Sequence, residues 1–141
     1  MNGFNSMPFG VTRYRRYRAL RVSPLALGTM TFAVEGWGSS KEEAARMVDI
    51  YIDQGGNFID TANFYGGMGG SEEWLGRLIQ GRRDPLVIST KYSLATRPGD
   101  PNNAGNHRKS MILSVEDSLR RLQTDYIDLL YLHMWDYRTP V

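Results

Sequence analysis

The sequence predicts an α/β fold built on a parallel sheet. Strand-like apolar runs alternate with stretches of helical periodicity, in the order strand, helix, strand, helix. Three of those runs also lead into an ionisable residue: NFID closes on Asp60, PLVIST on Lys91 and YIDLLYLH on His133. Parallel strands joined by right-handed crossovers carry their carboxyl ends on one side of the sheet. In a (β/α) barrel that side is where the active site is built.

The elements follow in order. Residues 1–12 are expected to be a disordered N-terminal extension. The segment TRYRRYRALRVS then interleaves Tyr14, Tyr17, Leu20 and Val22 with arginines, as a short half-buried hairpin does. Pro24 to Gly28 (PLALG) reads as a first strand, followed by a loop rich in Gly and Trp. Ser40 and Glu43 form an S-x-x-E capping box, in which two side chains satisfy exposed N–H groups at a helix start. Ala44, Ala45, Val48 and Ile52, with Met47 and Tyr51, supply the apolar face of that helix, and Gly55-Gly56 its left-handed stop.

A second strand, Asn57 to Ile59, delivers Asp60. A second helix begins near Ser71, with Glu72 and Glu73 in a first turn where carboxylates suit the helix dipole. Trp74, Leu75, Leu78 and Ile79 are its buried side. The third strand is Leu86 to Thr90. The loop after it, YSLATRPGDPNNAGNH, runs to about 16 residues, long enough to suggest a functional rather than a merely connecting role. A third helix spans Arg108 to Leu122, with Ile112, Val115, Leu119 and Leu122 at helical spacing, and a fourth strand runs from Ile127 to Leu132.

Composition bounds the function. There is no cysteine, so disulfides, thiolate metal sites and thiol nucleophiles are excluded, and no metal site is expected. No apolar run approaches the 18 or more residues of a membrane span, so a cytoplasmic protein is the expectation. Of the 17 basic residues, five are arginines within the first 24 positions, where no acid stands. Such a segment can be a targeting peptide or a nucleic-acid arm. The interleaved apolar residues favour the hairpin, and one arginine cluster without a stacking platform does not make a nucleic-acid binder.

Taken singly, the strand-end residues have bland readings: a capping Asp, a solvated Lys, a packed His. Taken jointly they converge on one end of one sheet, and Tyr65 joins them five residues past Asp60. A phenol ordinarily titrates near pH 10. An adjacent ammonium (Lys91) stabilises the phenolate, and a carboxylate (Asp60) holds that ammonium charged and in place. A histidine (His133) can orient a carbonyl oxygen or relay its proton. Such a site could protonate an oxygen while something else attacks the carbon. No side chain is a hydride source, so a bound cofactor must supply it.

With LALGTMTF, GGNFIDTANFYGGMGGSEEWLG, VISTKYS and SVEDSLRRLQTDYIDLLYLHMWD, this order of residues resembles the aldo-keto reductases over about residues 13–141. The resemblance implies a (β/α)8 TIM barrel, of which these are the first four strands, with an N-terminal β-hairpin closing its bottom. It implies NADPH-dependent reduction of aldehydes or ketones to alcohols. Tyr65 is then the general acid, tuned by Lys91 and Asp60, with His133 positioning the carbonyl. Thr29, Met30 and Asp60 match positions near the nicotinamide, and Trp37 and Trp135 could line the substrate pocket or simply pack. There is no G-x-G-x-x-G, which this family does not use.

Length departs from the resemblance. Family members are about twice as long, and most contacts to the cofactor come from their second half. A fragment with little or no activity alone is therefore the expectation, its unpaired strand edges favouring self-association. Two alternatives stay open: a half-barrel that assembles with another chain, and a non-catalytic binding protein like the potassium-channel β-subunits.

Overall fold

The computed structural model of the protein describes residues 15–17 and 20–140. The expected extension, residues 1–12, lies outside the described residues. The hairpin is present: β1 (Arg15–Tyr17) runs antiparallel to β2 (Leu20–Val22), with Arg15 opposite Val22. Four further strands, β3 (Leu27–Gly28), β4 (Phe58–Asp60), β5 (Val87–Tyr92) and β6 (Leu129–Leu132), form one parallel sheet in sequence order. The connections hold α1 (Lys41–Asp53), α2 (Tyr65–Leu78) and α3 (Arg108–Leu122). This is a partial α/β barrel. No helix among the described residues is long and apolar enough to cross a membrane.

Three strands differ in length from the expectation, each for a local reason. β3 is shorter than Pro24–Gly28 because the Leu25 carbonyl is taken by the hydroxyls of Ser23 and Tyr51. β6 begins at Leu129 rather than Ile127. There the Asp128 side chain accepts the Ile88 N–H at 2.8 Å, taking a ladder bond from the backbone. β5 runs on past Thr90 to Tyr92, which pairs with Leu132, so Lys91 lies within the strand.

α1 is capped as its sequence predicts. The Glu43 N–H donates to Ser40 Oγ, and the Ser40 N–H to Glu43 Oε2 at 2.8 Å. Those bonds hold the Glu43 carboxyl below its ordinary value. Gly55 follows the helix at φ 83° in the left-handed stop. The core lies between sheet and helices, where Phe32, Val48, Ile59, Leu75, Ile79, Ile88 and Leu122 are buried together.

α3 keeps its expected bounds, but of its expected face only Leu122 is fully buried. Its buried residues are Ser110, Ser114, Asp117, Ser118 and Leu122, while Ile112 is exposed and Val115 and Leu119 only half-buried. Small side chains let α3 approach its neighbours, and Asp117 is tolerated inside because Arg97 and Arg120 both bind it. α2 opens with a left-handed turn over Gly66, Gly67, Met68 and Gly69, whose φ values run from 67° to 115°. Three glycines make that turn accessible, and the right-handed helix expected near Ser71 begins after it.

Candidate active site

The sheet's alternation places the central charges. In parallel pairing Asp60 stands beside Ser89, and Lys91, two residues on, faces the same way. The Asp60 carboxylate therefore receives both: Ser89 Oγ donates to Oδ1 at 2.6 Å and Lys91 Nζ to Oδ2 at 2.6 Å. Lys91 also donates to the Thr61 carbonyl at 2.8 Å. Both charges are partly withdrawn from solvent, and each has its partner.

The left-handed turn folds Tyr65 over this pair, with Lys91 Nζ 4.7 Å from the centre of its ring. His133 follows β6 and is anchored by its own N–H on the Tyr92 carbonyl at 2.9 Å. Its ring meets that of Tyr65 edge-on, 5.7 Å between centres. Asp60, Lys91, Tyr65 and His133 are thus one connected cluster. Burial holds the His133 imidazole below its ordinary value, the Lys91 ammonium reinforces this, and the Asp60 carboxylate opposes it. A neutral imidazole beside an ammonium is a hydrogen-bonding group for an oxygen rather than a second cation. Its Nδ1 is buried with no hydrogen-bond partner among the described residues.

The other candidates fall in different places. Thr29 is fully buried, and its hydroxyl bonds the Asp60 carbonyl and Ser71 Oγ, so it ties the ends of β3 and β4 to α2. Met30, next to it, is 52% exposed. Trp37, 64% exposed, lines a groove of about 420 Å³ with Thr31, Glu43, Arg46 and Met47, which no member of the cluster lines. Trp135 is 47% exposed and packs edge-on against Tyr137.

Two features escaped sequence reasoning. Glu72, expected in a first turn for its fit to the helix dipole, is fully buried between α2, α3 and β5. Asp136 gathers the long β5–α3 loop to the segment after β6, accepting from Asn106 N, Arg138 N, Thr139 N and Thr139 Oγ1. Those N–H donors hold its carboxyl well below the usual carboxylate range.

The model of the Aldo/keto reductase family matches residues 24–141. The chain belongs to that family. It is 52% identical to norsolorinic acid reductase stcV of Emericella nidulans over 134 residues, covering 86% of this chain and 34% of that protein. It is 45% identical to an aryl-alcohol dehydrogenase of Pestalotiopsis microspora, covering 87% and 34%. A solved Pseudomonas aeruginosa structure described as an aldo-keto reductase superposes with a TM-score of 0.69 at 39% identity, covering 82% of this chain and 43% of that one. The chain spans about a third of the length of these two curated relatives.

Proposed function

We propose that the chain carries the proton-transfer half of an NADPH-dependent carbonyl reductase acting on aromatic aldehydes or ketones. The observation that carries this is the single cluster of Asp60, Lys91, Tyr65 and His133 at the carboxyl ends of β4, β5 and β6. The aromatic preference is drawn from relatives named norsolorinic acid reductase and aryl-alcohol dehydrogenase.

The cluster fits the reacting end of a nicotinamide site. All four of its groups can hold a proton and none can give hydride, while Met30 stands exposed directly after β3. Met30 and the backbone beside Thr29 would hold the ring, and reduced nicotinamide supplies the hydride when bound. The chain's own residues do the rest. His133, kept neutral, donates a hydrogen bond that orients the carbonyl oxygen. Tyr65 gives its hydroxyl proton to that oxygen as negative charge develops on it. Lys91 stabilises the phenolate left behind, and Asp60, braced by Ser89, keeps the ammonium aimed at Tyr65.

The activity belongs to the whole barrel, so the 141 residues alone are expected to turn over substrate weakly or not at all. Among the described residues β3 and β6 each pair on one side only, and Leu130 and Leu132 of β6 are exposed. These edges support self-association or pairing with the remaining strands of a barrel. The test supplies the chain with the C-terminal segment of a relative and follows NADPH oxidation with an aryl aldehyde. Turnover should fall by about 10²–10⁴-fold in Tyr65→Phe, the size of a lost general acid. Equal turnover by Tyr65→Phe would refute the assignment.

A further inference from the structure

Glu72 has no exposed surface, and a carboxylate so placed demands partners. It has two. Thr90 Oγ1 donates to Oε1 at 2.5 Å, and Arg121 Nε donates to Oε2 at 2.7 Å. Each partner stands behind a different piece of the active site. Thr90 immediately precedes Lys91 in β5, and by the alternation of the strand it faces the helices while Lys91 faces Asp60 and Tyr65. Arg121 lies flat against Gly69, where a Cβ would stand 2.5 Å from its Cδ and 2.8 Å from its Cζ. Gly69 closes the left-handed turn that begins just after Tyr65. One buried carboxylate therefore fixes, from outside the sheet, both the backbone presenting Lys91 and the turn presenting Tyr65. Its neighbour Ser71 completes the hold by donating to the Thr29 carbonyl at 2.7 Å.

A buried ion pair is a poor way to gain stability, because an apolar replacement of similar volume is often at least as stable. What it provides is a fixed geometry. We infer that Glu72 and Arg121 are positioning residues that set Tyr65 against Lys91 and His133. The pair does not touch the reacting atoms. Its catalytic consequence rests on the carbonyl-reductase reading above, but its structural effect does not.

The experiment reads the geometry directly in the isotopically labelled 141-residue chain. The chain has two histidines, and His133→Gln identifies the resonances of His133. Two quantities are followed by NMR: the Tyr65–His133 ring cross-peak and the midpoint of the His133 titration. In Glu72→Gln the amides of α1 and β4 should keep their dispersion. The ring cross-peak should be lost, and the His133 midpoint should move up toward the ordinary histidine value as Lys91 withdraws and water enters. Thr90→Val, which removes only the tie to β5, should shift both readouts in the same direction by less. Folded Glu72→Gln that retains the cross-peak and the wild-type midpoint overturns the inference. If Glu72→Gln does not fold, Thr90→Val decides on the same two readouts, unchanged values again overturning it. Neither readout needs turnover, so an active Tyr65→Phe enzyme would remove the catalytic reading and leave this result standing.

Discussion

Gly76→Ala tests how tightly the site's outer wall is built. Gly76 lies in α2 where that helix meets α3, and a Cβ there would reach the Arg121 carbonyl oxygen and stand 2.7 Å from the Leu122 carbonyl carbon and 2.8 Å from its Cα. Ordinary contacts of this kind fall at 3.4–4 Å. The obstacle is backbone, so no rotamer change relieves it and the helices must separate by well over half an ångström. Two effects compete. Alanine gains about 1 kcal/mol over glycine in helix propensity, while overpacking costs about 1–3 kcal/mol and sits at the top of that range against backbone. The clash wins, leaving a net loss of about 2 kcal/mol and a fall in Tm of roughly 8 °C for a chain of this size. Urea and thermal unfolding measure it, with Gly28→Ala as control because a Cβ there meets nothing within 4 Å. A Gly76→Ala chain as stable as the wild type would mean that the two helices do not depend on glycine for their approach.

Two further substitutions probe the loops and the titrating groups. The folded chain holds His133 below its ordinary value, so the unfolded chain takes up that proton first as pH falls. Stability should therefore rise with pH through the window that ends at about 6.5, and urea midpoints of His133→Gln should be flatter across that window. Asp136→Asn should speed hydrogen exchange at the amides of Asn106, Arg138 and Thr139, since an amide side chain cannot accept all four bonds. The Asp136 carboxyl is depressed in the folded chain, so in the wild type this tie is complete above the ordinary carboxylate range and loosens as pH falls below it.

What the sequence revealed were features decided by neighbours in the chain. Ser40 and Glu43 announce their capping box within four residues, Gly55 announces the stop, and α3 keeps the bounds Arg108–Leu122. Asp60 and Lys91 were legible because strand alternation and parallel order carry local pattern into space. What stayed hidden depends on partners far along the chain. Glu72 looks like a helix-start carboxylate until Arg121, 49 residues later, is brought against it. The apolar spacing of Ile112, Val115, Leu119 and Leu122 pointed to a face turned from the buried one, sharing with it Leu122. The side against α2 and β5 is chosen by close approach at Gly76 and by the Arg97–Asp117 pair, which leave no periodic signature. Asp136 gave no signal either, since its four donors are loop amides and a threonine.

The sheet's order bears on how the chain comes together. Every strand from β4 to β6 lies beside the one that precedes it in the sequence, with partners such as Leu27 and Ile59, Phe58 and Val87, or Ser89 and Leu129 separated by one strand-helix repeat. Loop-closure entropy grows slowly with length, so each repeat can dock on the last without waiting for a distant part of the chain. Docking in that order would set Asp60 first, Lys91 with β5 and His133 with β6. The approach of the Tyr65 and His133 rings, which needs β6 in place beside β5, would then be a local signal for the formation of that edge of the sheet.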